Sequence, residues 1–528
     1  MEEMATNNKY DRQLRLWGAQ GQQALAETTV VLVRATAVGT ETLKNLVLPG
    51  VGKILVLDDV SVRQGDAESN FFVTASPSET KPRAQIAMEL LQELNPDVDA
   101  SYRHVPSLMD LDYTQVLTGV TNPMVVAADL EYPLLMHLSK ICANKVPLIA
   151  VVSYGLIGLV RLQSPPVPIV QPKPDNATPD LRLVRPFTNL ESHLESIDLD
   201  QLSDHDHGHI PYPVLLHVIA KQYKCDHNGS LPKTMAEKQE FRQRIKEASR
   251  NFDMQLNFQE AVDNAYLAYT VKSVDRSHIE ALLQSCPSST EATRKFATLL
   301  RALLKFMTVH DNQVPLQGSL PDMTASTQQY VALQELYRQE AQTHVRELQS
   351  YCDTSISEPD VQIFCQNVTT LDLVFFRTLE QAYQRPCPTH IVEDLQAATC
   401  DAYEVPIQTP LLWYCGIRAC HFFFDKEGRY PGVAENWQDD IPTLQHCIQQ
   451  VFKDLQLDST ELVQSLQPAG ALAREFARYA NAEVHTIASL VGGVASQEAV
   501  KLIAGQYVPL NNTYIYNGVA SVGGVYEF

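Results

Sequence analysis

No two of the ten cysteines are spaced as Cys-x-x-Cys, and the closest pair is Cys415 and Cys420. Single cysteines of this kind argue against a zinc knuckle or a disulfide framework, so a reduced cytoplasmic or nuclear chain is expected. Basic residues are scarce. The 41 Lys and Arg face 62 Asp and Glu, for a net charge of −21. Nucleic acid is therefore not an expected partner, because its binding needs a basic footprint. A basic protein surface would suit the chain better. No apolar run reaches the roughly 18 residues of a membrane span; the longest candidate, 146–160, is interrupted by Ser153, Tyr154 and Gly155. No membrane association is expected, and the polar, acidic start at 1–8 is not expected to act as a signal peptide.

What is present is a long chain of 528 residues with 45% apolar content. That is enough for two to four domains and ample core. The organising stretch is VVLVRATAVGTETLKNLVLPGVGKILVLDD, residues 30–59. Val30–Val33 and Ile54–Leu57 are short β-branched runs of the buried-strand type. Thr40 to Leu48 places Leu43, Leu46 and Val47 on one helical face, and Pro49-Gly50-Val51-Gly52 ends that helix. With Asp58 closing the second strand, this is the layout of a dinucleotide-binding βαβ unit.

The glycines are wrong for that task. The G-x-G-x-x-G fingerprint falls on Arg34, Thr36 and Gly39. The first glycine normally makes the tight turn, the second lets backbone approach a phosphate, and the third lets helix and strand pack closely. Only Gly39 survives, so packing is kept and phosphate approach is lost. Two readings follow: a nucleotide-binding fold that has lost its nucleotide, or a Rossmann-like unit that never held one.

Further strands are expected over Val120–Ala128, Val146–Val152 and Val160–Gln163, and helices over Lys81–Leu94 and Tyr132–Ala143. Such alternation predicts an α/β fold with a mainly parallel sheet covered on both faces. The texture changes at Ser164-Pro165-Pro166-Val167-Pro168. Helical periodicity then dominates to about residue 480, with Lys233–Phe252, Glu291–Met307, Tyr330–Cys352 and Pro410–Phe424 as the clearest helices. His485–Ile503 is a helix rich in small residues, with Ala488, Gly492, Gly493 and Ala495 suited to close packing, and a turn and alternating strand follow from Pro509. The expected organisation is a first α/β segment at 1–165, a large helical insertion at 166–480, and a return at 481–528 that completes the first domain.

Several residues invite a functional reading. Arg12 and Arg15 share a helix face, opposite Leu14, Leu16 and Trp17. They are either solvated charges or guanidinium groups aimed at a phosphate. Tyr330, Leu333, Leu336 and Tyr337 form a stripe that fits either the chain's own core or a partner. The run Asp204-His205-Asp206-His207-Gly208-His209 could place its three imidazoles together if extended. Without a second ligand cluster it reads as a solvated acidic loop, and no metal site is assigned. Cys225, Cys286, Cys352, Cys365, Cys387, Cys400, Cys415, Cys420 and Cys447 lack a recognisable base and are expected to be buried, inert thiols.

The run Tyr10-Asp11-Arg12-Gln13-Leu14-Arg15-Leu16-Trp17-Gly18, the βαβ unit with LKNLVLPGVG, and the closing HTIASLVGGVASQEAVKLI and PLNNTYIYNG together resemble the activating enzymes of ubiquitin and ubiquitin-like modifiers. The likeness covers nearly the whole chain. In that family an active half adenylates the modifier with ATP, and an inactive half pairs with it. This chain resembles the inactive half. The family's Asn-x-Asn-Arg-Gln run falls on 66–70, where Ser69 replaces the arginine that faces ATP. Arg83 replaces the lysine of the next motif. The metal-holding aspartate falls on Leu130, and Asp129, one residue early, reads as a strand-end carboxylate in solvent.

The resemblance further implies that Arg12 reaches in trans into the partner's ATP site, with Arg15 structural or at the partner interface. It implies no cofactor in this chain's own site, around Arg34, Thr36, Gly39 and Asp58, and no catalytic cysteine. ATP and magnesium would sit in the catalytic subunit of a heterodimer. The other implied partners are a ubiquitin-like modifier and, through the complex, a conjugating enzyme. PDNATPDLRL (174–183), GSLPDM (318–323) and GRYPG (428–432) match one heterodimeric branch, whose insertion forms half of a catalytic-cysteine domain. The alternative is an adaptor with a degenerate Rossmann domain and no role in catalysis.

Overall fold

The two β-branched runs of the organising stretch form β1 (Thr29–Val33) and β2 (Lys53–Asp58) of an eight-stranded sheet. The computed structural model describes residues 9–63, 65–74, 81–173, 178–271, 274–383, 391–392, 409–458, 460, 463–464 and 467–528. The remaining strands are β3 (Asp99–His104), β4 (Pro123–Ala128), β5 (Leu148–Tyr154), β6 (Ile157–Gln163), β7 (Thr513–Asn517) and β8 (Val522–Tyr526). Their order is β8-β7-β6-β5-β4-β1-β2-β3. The first five strands are parallel, and the last three are added antiparallel.

This is a Rossmann-like arrangement with its topological switch point between β1 and β4, where ligands of such sheets sit at the carboxyl ends of the strands. The expected strand at 120–128 begins only at Pro123, because Asn122 adopts a left-handed φ of 42°. Periodicity also missed β3. Its sequence, DASYRH, is almost wholly exposed at the sheet edge and carries no apolar signal.

Alternation along β1 explains why both faces are covered. Val30 and Leu32 join Ile54, Val56, Met124 and Val126 on one face, while Val31 and Val33 join Leu55, Leu57, Val125 and Ala127 on the other. The first face is packed by α1 (Asp11–Ala26), α2 (Ala37–Val47), α3 (Arg83–Leu94) and a late helix, His485–Ala504. The second face receives α4 (Tyr132–Cys142). Gly18, at φ 72°, interrupts α1 after its first two turns.

Helices α5 (Pro410–Glu427), α6 (Ile441–Asp454) and α7 (Ala469–Tyr479) pack with Tyr154, Ile157, Leu159 and Ile515 of the sheet. The span 166–480 is thus divided. Residues 170–286 and 291–372 form a separate compact unit, while the described residues from Leu373 onward belong with the sheet. The apolar content of α5, with Leu411, Leu412, Trp413 and Phe423 buried, commits it to this core.

α8 (His485–Ala504) shows why its small residues are there. A Cβ at Gly492 would lie 2.9 Å from the Glu41 Cβ and the Thr42 nitrogen of α2. Gly493 faces open space instead. By length and mean hydropathy (1.3) α8 passes as a membrane span, but Ala488, Val491, Ala495 and Ala499 are packed in the sheet's core. The separate unit is helical, with Met235–Glu247, Glu291–Val309 and Thr327–Tyr351 close to the predicted spans. Its core gathers Tyr212, Leu216, Phe241, Phe258, Leu333 and Tyr337.

The third glycine of the degenerate fingerprint keeps the packing role predicted for it. A Cβ at Gly39 would lie 2.8 Å from the Ala128 Cβ and 3.0 Å from the Arg34 carbonyl oxygen. Gly39→Val is expected to cost about 1–3 kcal/mol, the usual range for overpacking a tight core. Urea denaturation of the full chain measures it, and a cost near zero would refute the packing role.

Candidate functional site

The turn after β1 and the start of α2 form the position where a Rossmann sheet cradles phosphate, because free backbone N–H groups and the helix dipole converge there. In this chain those donors are taken by the chain's own carboxylates. The Ala35 N–H donates to Asp58 Oδ2 at 2.8 Å, and the Ala37 N–H donates to Glu483 Oε2 at 2.9 Å. Thr36, the residue preceding α2, supplies no side-chain cap, so Glu483 fills that role from the segment leading into α8.

Arg34 occupies the first glycine position with φ 74°, the left-handed region that favours glycine. Its guanidinium spans to Glu131 in a two-toothed pair, Nη1–Oε1 and Nη2–Oε2 both at 2.8 Å, and Nη1 also donates to the Asp129 carbonyl at 2.9 Å. The arginine thus bridges the ends of β1 and β4 across the switch point. Thr36 is buried beside it. Asp58, fully buried, holds Arg83 through Nε at 2.8 Å and Nη2 at 3.2 Å. Its Oδ1 also accepts the Val60 N–H at 3.0 Å. An aspartate that would otherwise meet a ribose hydroxyl is fully engaged within the chain. The residues present do not fit a nucleotide: its phosphate donors are spent and its turn carries a side chain.

Asp129 corrects an expectation. It is buried rather than a solvent-facing strand end, with Oδ1 accepting the Ser153 N–H at 2.8 Å. Its neighbour is Glu483. Burial, and next the Asp129 charge, push the Glu483 carboxyl from its ordinary 4.5 up to about 8, and burial raises Asp129 too. The pair holds a proton at neutral pH, which lets two carboxyl groups share one pocket. The unfolded chain releases that proton above pH 4.5, whereas the folded chain keeps it to about pH 8. Stability therefore falls as pH rises through that window. Glu483→Gln, which keeps a neutral amide there, is expected to flatten this slope, which at about 1.4 kcal/mol per pH unit amounts to roughly 4 kcal/mol between pH 5 and pH 8. Urea midpoints at pH 5, 6.5 and 8 test it; an unchanged slope would show that the pair carries no proton.

The other motif positions are equally closed to chemistry. Leu130, at the metal-holding position, is buried and apolar. Ser69 offers its backbone carbonyl to the His485 ring at 3.2 Å. Asn70 is buried and ties the turn together, accepting from Thr40 Oγ1 at 2.9 Å and donating to the Ala35 carbonyl at 3.1 Å. Glu131 and Glu483 escaped the sequence reading, since neither lies in the fingerprint.

Arg12 is exposed on α1 and makes no ion pair among the described residues, while Arg15 is paired with Asp11 at 2.9 Å. The tyrosine stripe divides. Leu333 and Tyr337 are fully buried in the helical unit's own core, with the Tyr337 hydroxyl donating to the Leu181 carbonyl, so they do not face a partner. Tyr330 and Leu336 are half-buried. The histidine run is not extended: Asp204–His207 is a short helix. It stacks His205 on His209 and turns His207 inward onto Phe258 and Gln255.

Cys225 is exposed, contrary to expectation, because it lies on the outer face of the helix Tyr212–Asp226. Cys286 and Cys352 are only half-buried, whereas Cys365, Cys415, Cys420 and Cys447 are buried. Cys387 and Cys400 lie outside the described residues. Burial pushes the thiols of Cys142 and Cys365 up to about 12 and that of Cys352 to about 11, away from the reactive thiolate.

A Rossmann-like sheet with its phosphate turn filled from within defines the class, and the chain belongs to the ThiF family, whose model matches residues 10–522. Within that family it is similar to regulatory subunits of NEDD8-activating enzymes. It is 35% identical to the NEDD8-activating enzyme E1 regulatory subunit of Xenopus laevis over 98% of both chains. The subunit of Danio rerio is 34% identical, again over 98% of both. The regulatory subunit AXR1 of Arabidopsis thaliana is 33% identical over 97% of this chain and 94% of its own.

Proposed function

We propose that this chain is the non-adenylating, regulatory subunit of a heterodimeric activating enzyme for a ubiquitin-like modifier of the NEDD8 kind, acting in neddylation. The partner subunit binds ATP and magnesium, adenylates the modifier's C-terminus and takes it as a cysteine thioester for transfer to a conjugating enzyme. This chain completes the pseudo-symmetric fold and presents Arg12 to the partner's ATP site. Its helical unit shapes half of the thioester domain without contributing the cysteine.

The observation that carries the reading is the capture of the Ala35 and Ala37 donors by Asp58 and Glu483. A scaffold whose phosphate turn is closed needs a partner with an open one. Arg12, exposed and without an ion pair among the described residues, supports the trans role, because a planar guanidinium suits a phosphate bearing developing charge. ATP–pyrophosphate exchange tests the proposal. The isolated chain is expected to give none, and exchange is expected to appear when the catalytic subunit and modifier are added. Exchange by the isolated chain would overturn it.

A further inference from the structure

Two arginines lie deep in the sheet unit, far in sequence from the filled turn. Arg161 on β6 is 2% exposed and Arg418 on α5 is 1% exposed. Neither has a carboxylate in ion-pair contact among the described residues. Arg161 donates through Nη1 to the Tyr414 hydroxyl at 2.8 Å, and Arg418 donates through Nη2 to the Tyr383 carbonyl at 3.0 Å. Four other guanidinium nitrogens, Nε and Nη2 of Arg161 and Nε and Nη1 of Arg418, are buried with no hydrogen-bond partner.

Both groups sit against the same two rings. Arg161 is 5.6 Å from the Tyr383 ring centre and 6.0 Å from that of Tyr414; Arg418 is 4.5 Å and 5.9 Å from them. Tyr414 and Arg418 are four residues apart on α5 and so share a face. The Phe528 ring closes the box, stacked on Tyr414 at 4.4 Å and lying 5.6 Å from Arg161.

Arginine stays charged at any relevant pH. Buried charges are normally paired or fully hydrogen-bonded. Aromatic faces attract a cation but do not accept the N–H groups at its edge. Nε and Nη2 of Arg161 lie along one edge of the guanidinium, the edge that takes a carboxylate or phosphate side-on. The neighbouring His421 is neutral and adds no charge of its own: burial, and next the Arg418 cation, push its imidazole down to about 4. The site therefore concentrates positive charge and directed donors, and its aromatic walls exclude water.

We propose that Arg161 and Arg418, within the Tyr383–Tyr414–Phe528 box, bind one small oxyanion, with the Arg161 edge as the principal contact and Arg418 as the second. The chemistry is that of a carboxylate or phosphate group. This site is separate from the degenerate nucleotide turn and independent of the proposed subunit role.

The test uses the full chain, equilibrated in chloride and titrated with sodium phosphate or sodium acetate at constant ionic strength. Melting temperature and calorimetric stoichiometry are followed together. Because the unfolded chain disperses the two arginines, melting reports an anion bound to the folded state whatever its route of entry. A saturable rise in melting temperature with one equivalent bound is expected. Phosphate alone would identify a phosphate-type ligand, and acetate alone a carboxylate. Arg161→Met is expected to weaken binding at least tenfold. Arg418→Lys, which keeps the charge but loses the planar fork, is expected to weaken it severalfold while folding normally. No stabilisation of the wild-type chain by either anion beyond chloride would overturn the proposal, as would full anion dependence retained in both variants.

Discussion

Arg12→Ala in the reconstituted heterodimer is expected to lower ATP–pyrophosphate exchange about a hundredfold, the effect of removing one donor from a developing phosphate charge. That factor corresponds to roughly 2.7 kcal/mol of transition-state stabilisation. The expected loss is in kcat, with folding and assembly unchanged, because Arg12 is exposed and makes no ion pair among the described residues. Arg15→Ala is the matched control. Its guanidinium is engaged with Asp11 on the helix surface, and exposed pairs of that kind contribute little. Parallel exchange kinetics on the two variants separate a trans-acting arginine from a pure adaptor. Equal, near-wild-type rates would favour the adaptor.

Asp58→Ala is expected to destabilise the chain by about 3–5 kcal/mol, the range for breaking a buried ion pair from one side. The substitution leaves the largely buried Arg83 guanidinium with only the Asp66 carboxylate, 4.0 Å from Nη1, and leaves the Ala35 and Val60 N–H groups without acceptors. Urea unfolding of the two chains measures the loss. A cost below about 1 kcal/mol would mean that Arg83 finds water or another acid, because a solvated cation has little to lose. Asp58→Asn, which retains an acceptor oxygen but not the charge, is expected to fall between the two.

Arg34, Thr36 and Gly39 were legible because each fingerprint glycine answers a local steric demand, and a side chain at the first two positions contradicts it. Asp58 was legible as the end of β2, although its partner Arg83 was not. Glu131 and Glu483 were not legible at all. Glu483 meets Ala37 across 446 residues of sequence, and no periodicity reports such a closure. Asp129 was misread because acids at strand ends usually reach solvent; here β4 ends at the switch point, beneath Ser153 and beside Glu483.

The helical half shows the same limit. Spacing identified Tyr330, Leu333, Leu336 and Tyr337 as one face, but periodicity cannot say whether that face looks inward. The fold turns Leu333 and Tyr337 into the core and leaves the other two half-buried. Helical texture likewise did not separate 170–286 and 291–372 from α5, α6 and α7, because amphipathic helices carry no label for the surface they cover. The Arg161 and Arg418 box was invisible for a similar reason. Single arginines in a strand and a helix read as ordinary until burial removes their water.

Calorimetric titration of the isolated chain with magnesium and ATP shows whether the turn after β1 is closed to nucleotide. With the turn's donors held by Asp58 and Glu483 and its floor crossed by Arg34, no saturable heat is predicted at nucleotide concentrations that saturate the assembled heterodimer. One equivalent of ATP bound tightly by this chain alone would mean that the turn is open to nucleotide after all.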